Sequence, residues 1–358
     1  MAIDDLIDHI RHDWPYRDGD LDGANLAGVE LPGGTLIGCS LRGASFAGAS
    51  LKDMSFIQCD LSGANFAEAR VANSLLMSCQ MTETDWRRAA LTRVQMMQGD
   101  AGRANFAGAA LDECILMRVG LRQAIFAEAR LGKSALMQCA VEGVDLGHAS
   151  LRNVSILSGD LRAANLDGLD CDTILLTECD LTDRDLRQIA LARANLCGAK
   201  LDRANLSGVD LGGSMLIGAS LIGADLSRAR ASMAMFMKAD LRGANLSGAV
   251  LDKAGFVEAA VAGGNFDGAN LEMANFTGAD ARAASFRRAR LDYALFHHAA
   301  LDSADFTAAR FLRTDFHCAR TQGAIFSGQT GSMLDTDMAR AVGELYDPRS
   351  VRPFVAGR

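Results

Sequence analysis

His297, His298, His317 and Cys318 are the densest set of metal-ligating side chains in this 358-residue sequence. Imidazole and thiolate donors suit a transition metal of the zinc type when four of them converge tetrahedrally. His297 and His298 are neighbours in the chain, so their side chains diverge. The expected reading is a surface cluster without a metal. The sequence holds 9 Cys, of which Cys39, Cys59 and Cys79 recur at a constant interval, with Cys139 and Cys179 in the same phase. Thiols that repeat in register predict small core fillers rather than a redox or metal ladder. An odd number of them, with no secretory leader, predicts reduced cysteines in the cytoplasm, although a non-classical export route stays open. No nucleophile stands beside a base and an orienting acid, and no glycine-rich loop joins a strand to a helix. No catalytic residue, cofactor or metal is assigned, and the chain is read as a non-enzyme.

The elements that must position these residues follow from one period. Every fifth residue from Leu21 to Phe326 is apolar, with Thr321 the single polar one and Ala101, Cys171, Ala231 and Ala281 merely small. Two residues earlier stands a small side chain, as at Ala24, Cys39, Ala44, Ala64, Ala244 and Ala254, often followed by Asn, Asp or Ser. A period of five fits neither an α-helix nor a single strand. The composition agrees with a repeat, since 36 Gly accompany only 4 Pro, 2 Trp and 3 Tyr. No run of apolar residues is long enough to span a membrane.

Stretches such as LRGANLSGAVL (241–251) and LDRANLSGVDL (201–211) resemble the pentapeptide-repeat family, whose motif is A(D/N)LXX. The resemblance implies an all-β solenoid, a right-handed quadrilateral parallel β-helix of about 15 coils of 20 residues with short helical caps. At about 4.8 Å per coil the rod is roughly 75 Å long. Large central residues and small partners would fill each square layer. Recurrent glycines such as Gly23, Gly43, Gly63 and Gly243 would mark the corners.

The domain reading is an N-terminal helical cap over 1–18, the β-helix over 19–328, and a C-terminal helix and tail over 329–358. Ile3, Leu6, Ile7, Ile10 and Trp14 share one helical face suited to a lid. Asp335 or Thr336 is the expected cap of the last helix, which carries Met338, Val342 and Leu345. In relatives by this motif such a helix pairs two rods. Here it either does so, giving a homodimer, or covers the last coil. The small-residue rule breaks at Leu169, Ile174, Arg184 and Ile189. Arg184 would point into an apolar core, so the expectation is a distorted coil, the alternative being an ion pair with Asp183 or Asp185.

On one face, the position after the central residue should be polar and point outward. It holds Ile37, Ile57, Met77, Met97, Met117, Met137 and Leu157, then Thr177 and Cys197, then Ile217 and Met237. Leu75, Ile115, Met215 and Met235 join them on the same face. Seven coils give an apolar stripe about 30 Å long, more than a soluble monomer normally exposes. Methionine suits an adaptable docking surface. The competing expectation is that these side chains lean inward or lie under a chain terminus.

The formal charge is −8, with the acidic excess confined to residues 1–180 and a slight basic excess in 181–358. That disfavours direct nucleic-acid binding. Two functions follow. The first is an interaction scaffold or adaptor that docks another protein, or a second copy, through the Met/Ile face. The resemblance adds bacterial effectors and accessory parts of secretion systems as context. The second is a DNA mimic that binds DNA gyrase, as some members of the family do, for topoisomerase inhibition or quinolone protection. The apolar stripe, and basic residues such as Arg282, Arg287 and Arg290 in the second half, speak against it.

Overall fold

The repeating apolar residue closes the chain into a parallel β-solenoid of about 16 turns, with two short helices at its ends. The structure, a computed structural model, describes residues 2–345. The side chains of Ile3 and Leu345, both named above for the caps, lie outside the described residues. Nearly every coil stacks in register on the one 20 residues before it, as Asn25 bridges Ser45 and Ser45 bridges Asn65, with the register slipping by one residue between Arg310–Asp315 and Thr330–Leu334. Leu21, Phe46, Leu61 and the other central residues are buried, with Ala44, Ala64 and Ala244 fully buried beside them. Phe46, Phe66, Trp86, Phe106 and Phe126 form one stack of near-parallel rings, and Phe236 to Phe316 form another. The central stretch between these stacks is built on Leu. Thr84 replaces the small residue beside Trp86 and accepts the indole N–H at 2.9 Å.

The corner two residues after the central position adopts a left-handed backbone in nearly every repeat, Ala163 and Gln188 being exceptions. Gly23 and Gly243 supply it at φ 63° and 66°, as expected. Arg193 and Glu258 adopt it too, at φ 59° and 56°, so glycine is favoured there and not required.

The coils are not all alike. Two eight-stranded parallel sheets cover two faces of the first half, the second ending at Asp170–Asp172. Beyond that the coils are built from turns joined by single bridges, until strands return at Arg310–Asp315 and Thr330–Leu334. The corner position between the two strand faces tracks this change. It holds Met54, Ser74, Val94, Cys114, Ser134 and Val154 in the stranded half and Ala234, Ala254, Ala274 and Ala294 in the turn half. Thr314 marks the strand that returns. Gly34, Ile174 and Ser214 are exceptions to this rule.

Helix α1 (Ala2–Arg11) caps the first coil with Leu6 fully buried and Ile10 packed on the core. Trp14 is not on that face. It is 57% exposed and stacks on His12, because the helix ends before it. Helix α2 (Met338–Leu345) is capped by Asp337, whose Oδ1 accepts the Ala339 and Arg340 N–H groups, and not by Asp335 or Thr336. Thr336 instead accepts the N–H of Cys318. Met338 and Val342 face solvent at 70% and 66% exposure, while Ala341 is buried. Met338 and Val342 of the expected apolar face are therefore turned outward, because α2 is held to the rod by polar contacts on its other side.

Candidate docking face

The first sheet aligns the outward row of the stripe. Ile37, Ile57, Met77, Met97, Met117, Met137 and Leu157 are consecutive Cα partners in one parallel ladder. The residue before each of them in the strands, Leu36 to Ile156, is buried. Strand alternation thus sends the row outward, and the residues lean against one another rather than into the core. Each is half-buried by its neighbours. The column two residues earlier in the same strands adds Leu75, which is half-buried, and Ile115, 39% exposed. That column continues beyond the sheet as bridges from Ser155 through Leu175 and Asn195 to Met215 and Met235. Ile217 and Met215 are half-buried there, and Met235 and Met237 are exposed at 45% and 39%.

Helix α1 reaches the row at its first strand, the one that holds Ile37. The contacts of α1 are with the first two strands of this sheet, at Tyr16–Arg17 and Gly34–Ile37. Helix α2 lies over the same face at its far end, beside His297, His298 and His317. A polar border runs along one side of the stripe, where Arg118 donates to Gln138 at 3.0 Å and Ser158 to Glu178 at 2.9 Å. Between Met117 and Thr177 the face sinks into a shallow groove lined by Met137 and Leu157. An apolar centre with a polar edge is the anatomy of a protein-binding surface. Met233, Met273 and Tyr293 are also exposed, yet they stand in another column interrupted by Lys253.

Arg184 neither swings into solvent nor pairs with Asp183 or Asp185. Those two carboxylates bond Arg203 and Arg187. The Arg184 guanidinium instead donates to the carbonyls of Arg162 at 3.1 Å and Ala164 at 2.8 Å. The ladder is interrupted beside this residue. In the column of Asn165, the ladder runs from Asp145 to Asn165 and resumes with Asp185 to Asn205, with no bridge between Asn165 and Asp185 among the described residues. Leu169, Ile174 and Ile189 line the apolar gap left in the core.

Cys39, Cys59, Cys79, Cys139 and Cys179 are buried free thiols at the interior small position, as their spacing predicts. Burial pushes the Cys179 thiol up to about 11, which keeps it unreactive. His297 lies beneath His317 with ring centroids 5.7 Å apart. It does not join the other donors, since its Nε2 faces Asp315 at 2.9 Å. His298, His317 and Cys318 do converge, and the fourth member is Glu344 from α2. Glu344 was not legible in the sequence because nothing in the non-repeating tail fixes its register against the coils.

Among the described residues no helix is long and apolar enough to cross a membrane. A family model described as a pentapeptide repeat region matches residues 29–106, and one of pentapeptide repeats (8 copies) matches overlapping stretches from 174 to 328. No curated protein matches in sequence. Among solved structures, full-length QnrB1, a plasmid-mediated fluoroquinolone resistance protein, is 22% identical over 52% of this chain and 91% of its own, at a TM-score of 0.32. HetL, a pentapeptide repeat protein involved in heterocyst differentiation regulation from the cyanobacterium Nostoc sp. strain PCC 7120, is 18% identical over 93% of this chain and 97% of its own, at a TM-score of 0.19.

Proposed function

This chain belongs to the pentapeptide-repeat family, and on that premise we propose that it is a non-enzymatic scaffold that docks a second protein chain on its Ile/Met face. The observation that carries this reading is the unbroken ladder from Ile37 to Leu157, outward-facing, bordered on one side by polar side chains and met by α1 at its first strand. Apolar rungs at about 4.8 Å spacing present a flat, regular surface about 30 Å long, to which a partner strand or helix can add. The partner is either a foreign protein or another copy of this chain. Mass in solution by light scattering distinguishes them, using wild type and Met77→Asp/Met117→Asp. A dimer that becomes a monomer in the variant assigns the face to self-association. A monomer in both directs the search to foreign partners, with the two forms as paired baits. The reading fails if the folded variant keeps both its mass and every partner of the wild type.

The acidic first half motivates the second reading, a DNA mimic that binds DNA gyrase. Salt separates the two, since mimicry weakens steeply with ionic strength while apolar docking does not. Against mimicry, many of the carboxylates are already paired. Asp85 bonds Arg87 at 2.6 Å, and Asp160 bonds Arg162 at 2.7 Å.

A further inference from the structure

We propose that His298, His317, Cys318 and Glu344 form a structural site for a divalent transition metal of the zinc class, which fastens α2 to the side of the last coils. Glu344 Oε2 lies 2.9 Å from His298 Nε2 and 3.1 Å from His317 Nε2, and Cys318 Sγ lies 3.5 Å from His317 Nε2. All four donor atoms fall within 4.8 Å of one another. A tetrahedral zinc ion with bonds of about 2.0–2.3 Å sets its ligands roughly 3.3–3.6 Å apart. The separations of 2.9–3.5 Å lie close to that spacing, so a small shift of the side chains makes room for the ion.

The fold explains how adjacent residues come to face one point. In a strand His317 and Cys318 would point to opposite sides. Cys318 instead occupies the left-handed corner at φ 54°, which brings its sulfur beside the ring of the preceding histidine. His298 occupies the same corner one coil below, at φ 56°. His317 is almost fully buried, Cys318 is half-buried, and His298 and Glu344 close the outer side. Arg340 Nε donates to Glu344 Oε1 at 2.7 Å, which orients the carboxylate and leaves Oε2 for the metal.

The donor set also fits in charge and softness. One thiolate and one carboxylate neutralise a dication, and thiolate with two imidazoles selects zinc or cobalt over magnesium or calcium. Four protein ligands leave no open position, which marks a structural site rather than a catalytic one. Loading displaces protons in a defined way. The Cys318 thiol proton is released. The Asp337 N–H donates to His317 Nδ1 at 3.2 Å, which places the ring proton on Nε2. That proton moves to Nδ1 as the metal takes the Nε2 lone pair, and the long Asp337 contact is given up; His298, whose Nε2 donates to the same carboxylate at 2.9 Å, shifts its proton to Nδ1 likewise.

The helix has reason to need such a clamp. Eight residues are too few to be stable alone, and α2 turns Met338 and Val342 to solvent. Among the described residues its attachment rests on Ala341, this polar cluster and the contact of Arg340 with His297.

The test uses the full chain, stripped with a chelator and titrated with Co2+ alone. The expected result is one cobalt per chain, with the absorption of a tetrahedral site and a thiolate-to-cobalt charge-transfer band. Cys318→Ser should abolish that band. Glu344→Gln and His298→Asn, both at exposed positions, should weaken binding by more than the roughly 10–100-fold that outer-shell changes cost. Cys197→Ser, at the other half-buried thiol, should change nothing. Zn2+ should displace the cobalt and slow amide exchange in α2. Failure to take up one equivalent overturns the proposal, as does a spectrum unchanged in Cys318→Ser or an affinity unchanged in Glu344→Gln. His317 is left intact because its burial makes loss of the last coil a competing outcome.

Discussion

Replacing Arg184 with Met should loosen one corner of the rod without disturbing the rest. In the regular ladder a carbonyl such as Val144 accepts the N–H of Asn165, and that of Arg184 accepts the N–H of Asn205. The equivalent bond from Asp185 to Ala164 is absent among the described residues, and the Arg184 guanidinium stands in its place. Its second donor serves the carbonyl of Arg162. Hydrogen bonds from a charged donor contribute about 1.5–3 kcal/mol each. Arg184 is only half-buried and borders an open polar cleft, so water can replace part of what is lost. The expected cost of Arg184→Met is about 1–3 kcal/mol, a 5- to 150-fold loss of local protection.

Stability in a solenoid is carried between neighbouring coils, so a whole-molecule melt would dilute the effect. Hydrogen exchange over residues 160–195 reads it directly, with residues 230–290 as the internal control. Arg184→Ala gives the sharper result. If Leu169 and Ile189 open this coil by overfilling a column that elsewhere holds mainly Ala, the alanine variant should also lose protection. Should Arg184→Ala instead protect the Asp185 amide and stabilise the segment, the arginine is the cause of the opening and the argument is refuted.

Other perturbations follow from the coil geometry. Gly243 sits at φ 66° with open space around its missing Cβ, while Gly255 has open space and no positive φ. Gly243→Ala should therefore cost about 1 kcal/mol, and Gly255→Ala should gain about 0.4–1 kcal/mol, in local exchange or urea unfolding. The side-chain bonds from Arg242 and Arg282 hold the Asp240 and Asp280 carboxyls below their ordinary range. A depressed folded-state pKa adds stability above the unfolded value near 3.8, and that stability is lost as pH falls through the lower folded value. Acid unfolding of Asp240→Asn/Asp280→Asn should show a smaller dependence on pH below about 4, with little change between pH 5 and 8. Asparagine keeps the oxygen that caps the following turn, so an equal pH profile would mean the ion pairs contribute nothing.

What the sequence made legible was whatever the five-residue period dictates. A large apolar residue in each layer predicted the core, the 20-residue stacking predicted that Cys39 lies under Cys59, and the same stacking placed Ile37 in a row with Met77 and Leu157. The change from strands to turns was less visible because both halves share that period. Its signal was present at one corner column, in the step from Val154 to Ala234 and Ala254. The docking of α2 was illegible for a different reason. An amphipathic pattern ranks Met338 and Val342 as the buried side, but the pattern carries no information about a cluster of histidines on a distant coil.

Net charge was the least reliable guide to surface character. The acidic excess of the first half comes from a sum over residues, whereas a partner meets side chains in their local pairs. Asp85 beside Arg87, Asp160 beside Arg162 and Asp240 beside Arg242 present short dipoles on the surface. The Ile/Met row has no such compensation. Stacking repeats each rung along the axis, so a property that cancels within one coil cancels along the rod, and one that does not cancel accumulates. Apolar character accumulates between Ile37 and Leu157, and this is the physical ground for the proposal that a partner docks on that face rather than on the acidic ones.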